Sequence, residues 1–218
     1  MRSSSPQLDP QRSVLTMLRA LVPDRDLTPS ETLRIAELQA NRLLQHFETT
    51  GFDTLDELIA EMPRIRVVRE HDLAVSAATY WDGHTWVIAL NASEPRVRQR
   101  FSCLHEYKHI LDHTSKDRLY HDRHGQTADQ QAERVADYFA ACALMPKRIV
   151  KSLWCQSDQN LTSFAHKLGV STRALSFRLN DLGLTEPSQR CHRNDRRPGT
   201  HRRQWTTRPL PQSAGRSS

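Results

Sequence analysis

The chain has 218 residues, of which 26% are charged, and a formal net charge of +6. That length allows one sizeable core or two small ones. Four widely spaced cysteines without a Cys-x-x-Cys pair exclude a zinc ribbon and a disulfide framework and fit a reducing, cytoplasmic compartment, and no apolar run approaches a membrane span. The charge is a poor guide to nucleic acid. Residues 186–218 carry eight Arg against Glu186 and Asp195, which is the whole excess, so the body upstream is balanced.

Residues 1–28 read as a partly disordered N-terminal extension. Its best apolar stretch, Val14 to Val22, is interrupted by Arg19, so no secretory signal is expected. Val14 to Leu21 predicts a short helix ended by Pro23. Thr28-Pro29-Ser30-Glu31 then reads as a helix start: Thr28 as N-cap, Pro29 in the first turn, Glu31 closing a capping box. Apolar positions from Leu33 to Phe47 carry that helix to about His46, with Gly51 closing it. A shorter helix is expected near Asp53 to Met62, with Leu55, Leu58 and Ile59 inward. Both helices read as scaffold.

The period then shifts from helical to alternating. Ile65 to Val68, Ala74 to Trp81 and Thr85 to Leu90 predict three strands, the last two joined by an Asp82-Gly83 hairpin signal. Such a sheet can cover the next helix, offer its edge to an extended peptide, or do both.

That next helix, from about Arg96 to His113, holds the most informative stretch: Phe101-Ser102-Cys103-Leu104-His105-Glu106-Tyr107-Lys108-His109-Ile110-Leu111. Residues four apart share a helix face, so His105 and His109 point one way and can hold one zinc ion through ring nitrogens. Glu106 lies beside them, where a general base would act on water. Phe101, Leu104, Ile110 and Leu111 predict burial over much of the circumference. The alternative is a solvated face made of Glu106, Lys108 and His109. His113 continues the spacing but lies two turns, roughly 12 Å, from His105, too far to share the ion. A metzincin pattern needs histidine at position 115, where Ser115 stands, so His113 reads as surface or outer sphere.

Residues 114–128 read as a polar loop whose His121 and His124 either line the site or face solvent. A helix with the apolar face Ala132, Val135, Ala136, Phe139, Ala140 and Ala143 follows, with Pro146 past its end. Glu133 sits on the border of that face. Either it pairs with Arg134 or Lys147, or, if the two helices pack, it completes a His–His–Glu site with one position open. Asp137, one turn further, can then accept the free ring N–H of a ligand histidine.

Arg98 to Leu111, followed by Glu133-x-x-Ala136-Asp137-x-Phe139-Ala140-Ala141-x-x-Leu144-Met145-Pro146, resembles the ImmA/IrrE metallopeptidases, and Val87 to Asn91 fits the strand that precedes the motif in that family. The resemblance covers roughly residues 65–150. It implies a zincin-like catalytic domain with His105, His109 and Glu133 as metal ligands and Glu106 as catalytic base. It further implies a cytoplasmic protease that cleaves a helix-turn-helix repressor and so releases stress, phage or mobile-element genes. The expected cofactor is Zn2+, with Mn2+ or another divalent ion also suited to such ligands.

After Pro146, Ile149 to Trp154 reads as helix. Leu161 to Leu184 has a helix, Gly-containing turn, helix outline, suited to packing or partner docking or, through Arg173 and Arg178, to phosphate contact. Residues 186–218 read as a basic disordered tail, in which Trp205 beside Arg202 and Arg203 offers a weak nucleic-acid contact. The expected architecture is α+β, mainly helical. It comprises an extension (1–28), a zincin-like metallopeptidase domain with scaffold helices and a small sheet (29–150), a helix-turn-helix-like segment (151–185) and the tail. The function expected is a zinc-dependent endopeptidase acting on a repressor protein. The alternatives are a DNA-binding regulator with a non-catalytic metal site and a module that sequesters a repressor without cutting it.

Overall fold

The computed structural model describes residues 13–49, 54–123, 125–156 and 160–184. The expectations for residues 1–12, Gly51, His124 and the tail from 186 onward lie outside these. The described part is a mixed α+β fold, mainly helical, with one small three-stranded sheet.

The first helices are α1 (Val14–Arg19), α2 (Pro29–His46) and α3 (Leu55–Ala60). The start of α2 is set by its capping box. Thr28 Oγ1 accepts from the Glu31 N–H at 3.4 Å, and the Glu31 carboxylate accepts from the Thr28 N–H at 2.9 Å, with Pro29 in the first turn where its missing N–H costs nothing. Ala36, Ala40, Leu43 and Leu44 form the buried face of α2 and enter one core with Leu15 and Leu18 of α1.

The three predicted strands are present as β1 (Ile65–Glu70), β2 (Ala77–Trp81) and β3 (Trp86–Asn91). Their order is β1-β3-β2, with β1 parallel and β2 antiparallel to β3. The β2–β3 loop spans four residues, because Trp81 pairs with Trp86. Asp82 shapes it by accepting from the N–H groups of His84 and Thr85, and Gly83 supplies the positive φ of 99°. Central β3 is buried from Val87 to Leu90, and edge strand β2 is open on one side.

The remaining helices are α4 (Arg96–Asp112), α5 (Lys116–Leu119), α6 (Ala128–Leu144), α7 (Lys147–Gln156), α8 (Leu161–Leu168) and α9 (Thr172–Asp181). The alanine-rich face of α6 is buried as its spacing predicts, and α6 packs against both α2 and α4. Gly169, at φ 61°, turns the chain between α8 and α9. Two bonds tie these last helices to the body: Arg100 Nη1 to the Gly169 carbonyl at 2.9 Å, and Arg178 Nε to the Met145 carbonyl at 3.1 Å. No described helix is long and apolar enough to cross a membrane.

Candidate metal centre

The motif helix α4 is held from several sides. Cys103, Leu104, Tyr107, Ile110 and Leu111 are buried in the core, so the helix has one free direction, toward a cleft. The alternative of a solvated Glu106–Lys108–His109 face does not hold, because the Lys108 side chain is fully buried. Its Nζ donates to Asp112 Oδ1 at 2.5 Å, and the Tyr120 hydroxyl donates to the other oxygen of Asp112. Burial holds the Lys108 pKa below its ordinary value despite Asp112. At the end of α4, Arg19 donates to the carbonyls of Ile110 (2.6 Å) and Leu111 (3.1 Å), which have no partner further along the helix. Sequence reasoning missed both supports. The Lys108–Asp112 spacing of i, i+4 was the available signal for one; nothing local signals Arg19.

On the free side, α6 crosses α4 with Ala136 and Ala140 buried and the Phe139 ring 6.2 Å from that of Tyr107. Small side chains let the backbones approach, and that approach brings Glu133 to the two histidines. His105 Nε2 and His109 Nε2 lie 3.1 Å apart. Glu133 Oε2 is 3.2 Å from the first and Oε1 is 3.3 Å from the second. Four atoms at these spacings can hold a metal ion, and among the described residues they form the group suited to one. A tetrahedral ion bonded at about 2.0–2.1 Å has ligand–ligand edges of about 3.3 Å, and the two ring nitrogens lie near that spacing, each with one oxygen of the Glu133 carboxylate within 3.3 Å.

The tautomers agree. His105 Nδ1 donates to Asp137 Oδ1 at 2.9 Å, which leaves Nε2 as a lone pair aimed at the gap. Burial opposes charge on His105, but the Asp137 hydrogen bond and the charges of Asp137, Glu133 and Glu106 outweigh it and raise its pKa. For His109, burial and then the charge of His105 prevail, and its pKa is lowered. Ring nitrogens and a carboxylate crowded together this way are a donor set for a cation.

The group opens on a cleft of about 920 Å³ that Glu106 also lines. The sequence-derived set Glu106, His105, His109, Glu133 and Asp137 is thus assembled in one place. Glu133 has its carboxylate on the histidines rather than on Arg134 or Lys147. His113 stays outside, exposed, with its ring 4.9 Å from that of Trp86. His121 faces Asp26 at 3.6 Å instead of the cleft.

With that geometry in place, the comparisons with known proteins fall into order. Residues 61–180, more than half of the chain, match the family model described as the IrrE N-terminal-like domain, a peptidase domain. The chain belongs to this family. The IrrE-like match extends past residue 150, where the sequence resemblance ends, and takes in α8 and most of α9. No curated protein matches the chain by sequence. A solved structure described as a Mycobacterium tuberculosis transcriptional regulator shares the fold, with a TM-score of 0.59 at 18% identity over 81% of this chain. The match takes in 54% of that protein, so this IrrE-like chain spans about half its length. The family is one of metallopeptidases of the IrrE/ImmA type, and the His105–His109–Glu133 group could hold a metal ion.

Proposed function

We propose that the protein is a zinc-dependent endopeptidase that uses His105, His109 and Glu133 as metal ligands and Glu106 as general base. The observation that carries this reading is the meeting of two imidazole ring nitrogens and a carboxylate at 3.1–3.3 Å on the wall of an open cleft. Bound there, zinc would supply Lewis acidity to a peptide carbonyl and to an attacking water.

The chain's own groups do the rest. Glu106 follows His105 directly, half-buried on the cleft wall. Its carboxylate accepts a proton from the attacking water and returns it to the leaving amine nitrogen. Asp137 holds the His105 ring in one tautomer and one orientation, so that Nε2 faces the ion. Buried Lys108, Asp112 and Tyr120 fix the half of α4 that carries His109.

The proposed substrate is a protein, a helix-turn-helix transcriptional repressor, whose cleavage would derepress the genes it silences. The resemblance to ImmA/IrrE peptidases and the likeness in fold to a transcriptional regulator support that choice. The helix-turn-helix-like pair α8–α9 serves this reading as part of the peptidase body.

The test is the Glu106→Gln variant. It should bind zinc as the wild type does and cut a candidate repressor about 10²–10⁴-fold more slowly, the usual contribution of a positioned base. Full proteolysis by this variant would refute the mechanism. An intact, tightly held repressor with the wild type and zinc would point to sequestration instead.

A further inference from the structure

The cleft reaches well beyond the metal group, and its far part has a chemistry of its own. Val97, Phe101 and His105 follow at four-residue steps along α4, and all three line the cleft. Four helical residues rise about 6 Å, so this wall runs about 12 Å from the metal group, enough for three or four residues of extended peptide. Arg173, Ala174, Phe177, Arg178 and Asp181 of α9 line the same cleft. The bonds from Arg100 to Gly169 and from Arg178 to Met145 fix α9 in that position.

Phe177 is 62% exposed, on a helix whose neighbouring leucines, Leu175 and Leu179, are buried. Its ring carries the Arg173 guanidinium 5.8 Å from its centroid. An apolar ring held open to solvent inside a cleft is a ready surface for an apolar side chain.

The charges have a sign. Apart from Glu106, Glu133 and Asp137 at the metal group, the lining holds Arg98, Arg134, Arg173 and Arg178 against Asp181 alone. Among the described residues no carboxylate lies within ion-pair distance of Arg134, Arg173 or Arg178. Arg178 is buried, with its Nη2 lacking any hydrogen-bond partner.

We propose that α9 is the specificity wall of the cleft, on which Phe177 takes an apolar side chain of the substrate within three or four residues of the cut while Arg173 selects an acidic neighbour. This rests on the endopeptidase reading and adds to it the class of peptide accepted: extended, acidic, with an apolar anchor. An aromatic anchor suits best, since it can stack on Phe177 beneath the Arg173 guanidinium.

The test uses the full-length zinc-loaded protein and a random octapeptide library, with cut sites read by mass spectrometry. Phe177→Ser and Arg173→Glu are compared with the wild type, both at exposed positions where the fold survives. The wild type should favour sites with an apolar residue next to an acidic one. Phe177→Ser should flatten the apolar preference and raise KM on a favoured peptide at least about tenfold, as for a lost hydrophobic contact of this size. Arg173→Glu should turn the charge preference from acidic to basic. Metal content and melting temperature should stay as in the wild type. Unchanged cut-site preferences in both variants would overturn the proposal. So would a loss of duplex-DNA affinity in Phe177→Ser without any change in peptide handling, which would make α9 a DNA reader.

A second readout separates this proposal from the peptidase reading. Fluorescence anisotropy of a labelled acidic–aromatic peptide measures binding whether or not the bond is cut. If the wild type binds without cutting and Phe177→Ser loses at least tenfold in affinity, the wall stands and the peptidase reading fails. If Phe177→Ser binds as the wild type does, the wall is wrong whatever the enzyme cuts.

Discussion

The Asp137 carboxylate accepts the Nδ1–H of His105 at 2.9 Å, on the side of the ring away from Glu133. Asp137 and Glu133 are one turn apart on α6, so a single helix supplies both the carboxylate that faces the two imidazoles and the partner that orients one of them.

Asp137→Ala should therefore weaken zinc binding about 10–100-fold, the usual effect of removing such a partner. Competition with a chromogenic chelator measures it. Asp137→Asn, which can still accept the N–H, should lose less. Equal affinity in all three proteins would show that the hydrogen bond orients nothing of consequence.

Chelation should expose how much the metal contributes to the fold. At free zinc a hundred times the dissociation constant, linkage adds about 2.7 kcal/mol, which is roughly 5–10 °C of melting temperature for a domain of this size. The Glu133→Gln and His109→Ala variants should show little or none of that shift in thermal melts. A zinc-dependent shift of full size in both variants would place the ion elsewhere.

The buried Lys108–Asp112–Tyr120 network gives a stability prediction. Asp112→Ala leaves a buried ammonium without its counter-charge and should cost about 3–5 kcal/mol. Pairing Lys108→Met with Asp112→Asn removes both charges, keeps an acceptor for the Tyr120 hydroxyl and should recover most of the loss. Denaturant unfolding of the single and double variants decides this, and a double variant no better than Asp112→Ala would refute it.

Glu31 gives a pH dependence. Its carboxyl is held at about 2, against an ordinary 4.5, first by the hydrogen bond from Arg25 and then by that from the Thr28 backbone. A folded pKa below the unfolded one means stabilisation that is complete above the unfolded value and lost as pH falls through the folded one. The melting-temperature deficit of Glu31→Gln relative to the wild type should therefore hold steady above about pH 5 and shrink steadily toward about pH 2. A deficit that does not shrink would mean the carboxylate charge is not what the cap uses.

Much of this was legible because it is local. The capping box at Thr28, the β2–β3 hairpin and the buried face of α6 are written in neighbouring residues. The convergence of His105, His109 and Glu133 was legible for another reason: Glu133 borders an apolar helix face that, packed on α4, completes a His–His–Glu set, and the family resemblance implied the same three residues. Other features are joined by pairings that no periodicity encodes. Arg19 reaches Leu111 from 92 residues away, and Arg100 reaches Gly169 from 69. That second bond helps hold α9 on the cleft, and the helix-turn-helix outline of residues 161–184 does not encode it. The alternative of a solvated face made Lys108 a surface lysine; burial turns it inward together with Asp112 at i+4.

The grip of Arg19 on α4 has a practical side. A recombinant fragment trimmed to residues 61–180 would lack Arg19 and the whole of α2. It would leave the Ile110 and Leu111 carbonyls bare and strip α6 of the surface it rests on. A shortened version that keeps this support for α4 has to start upstream of Arg19.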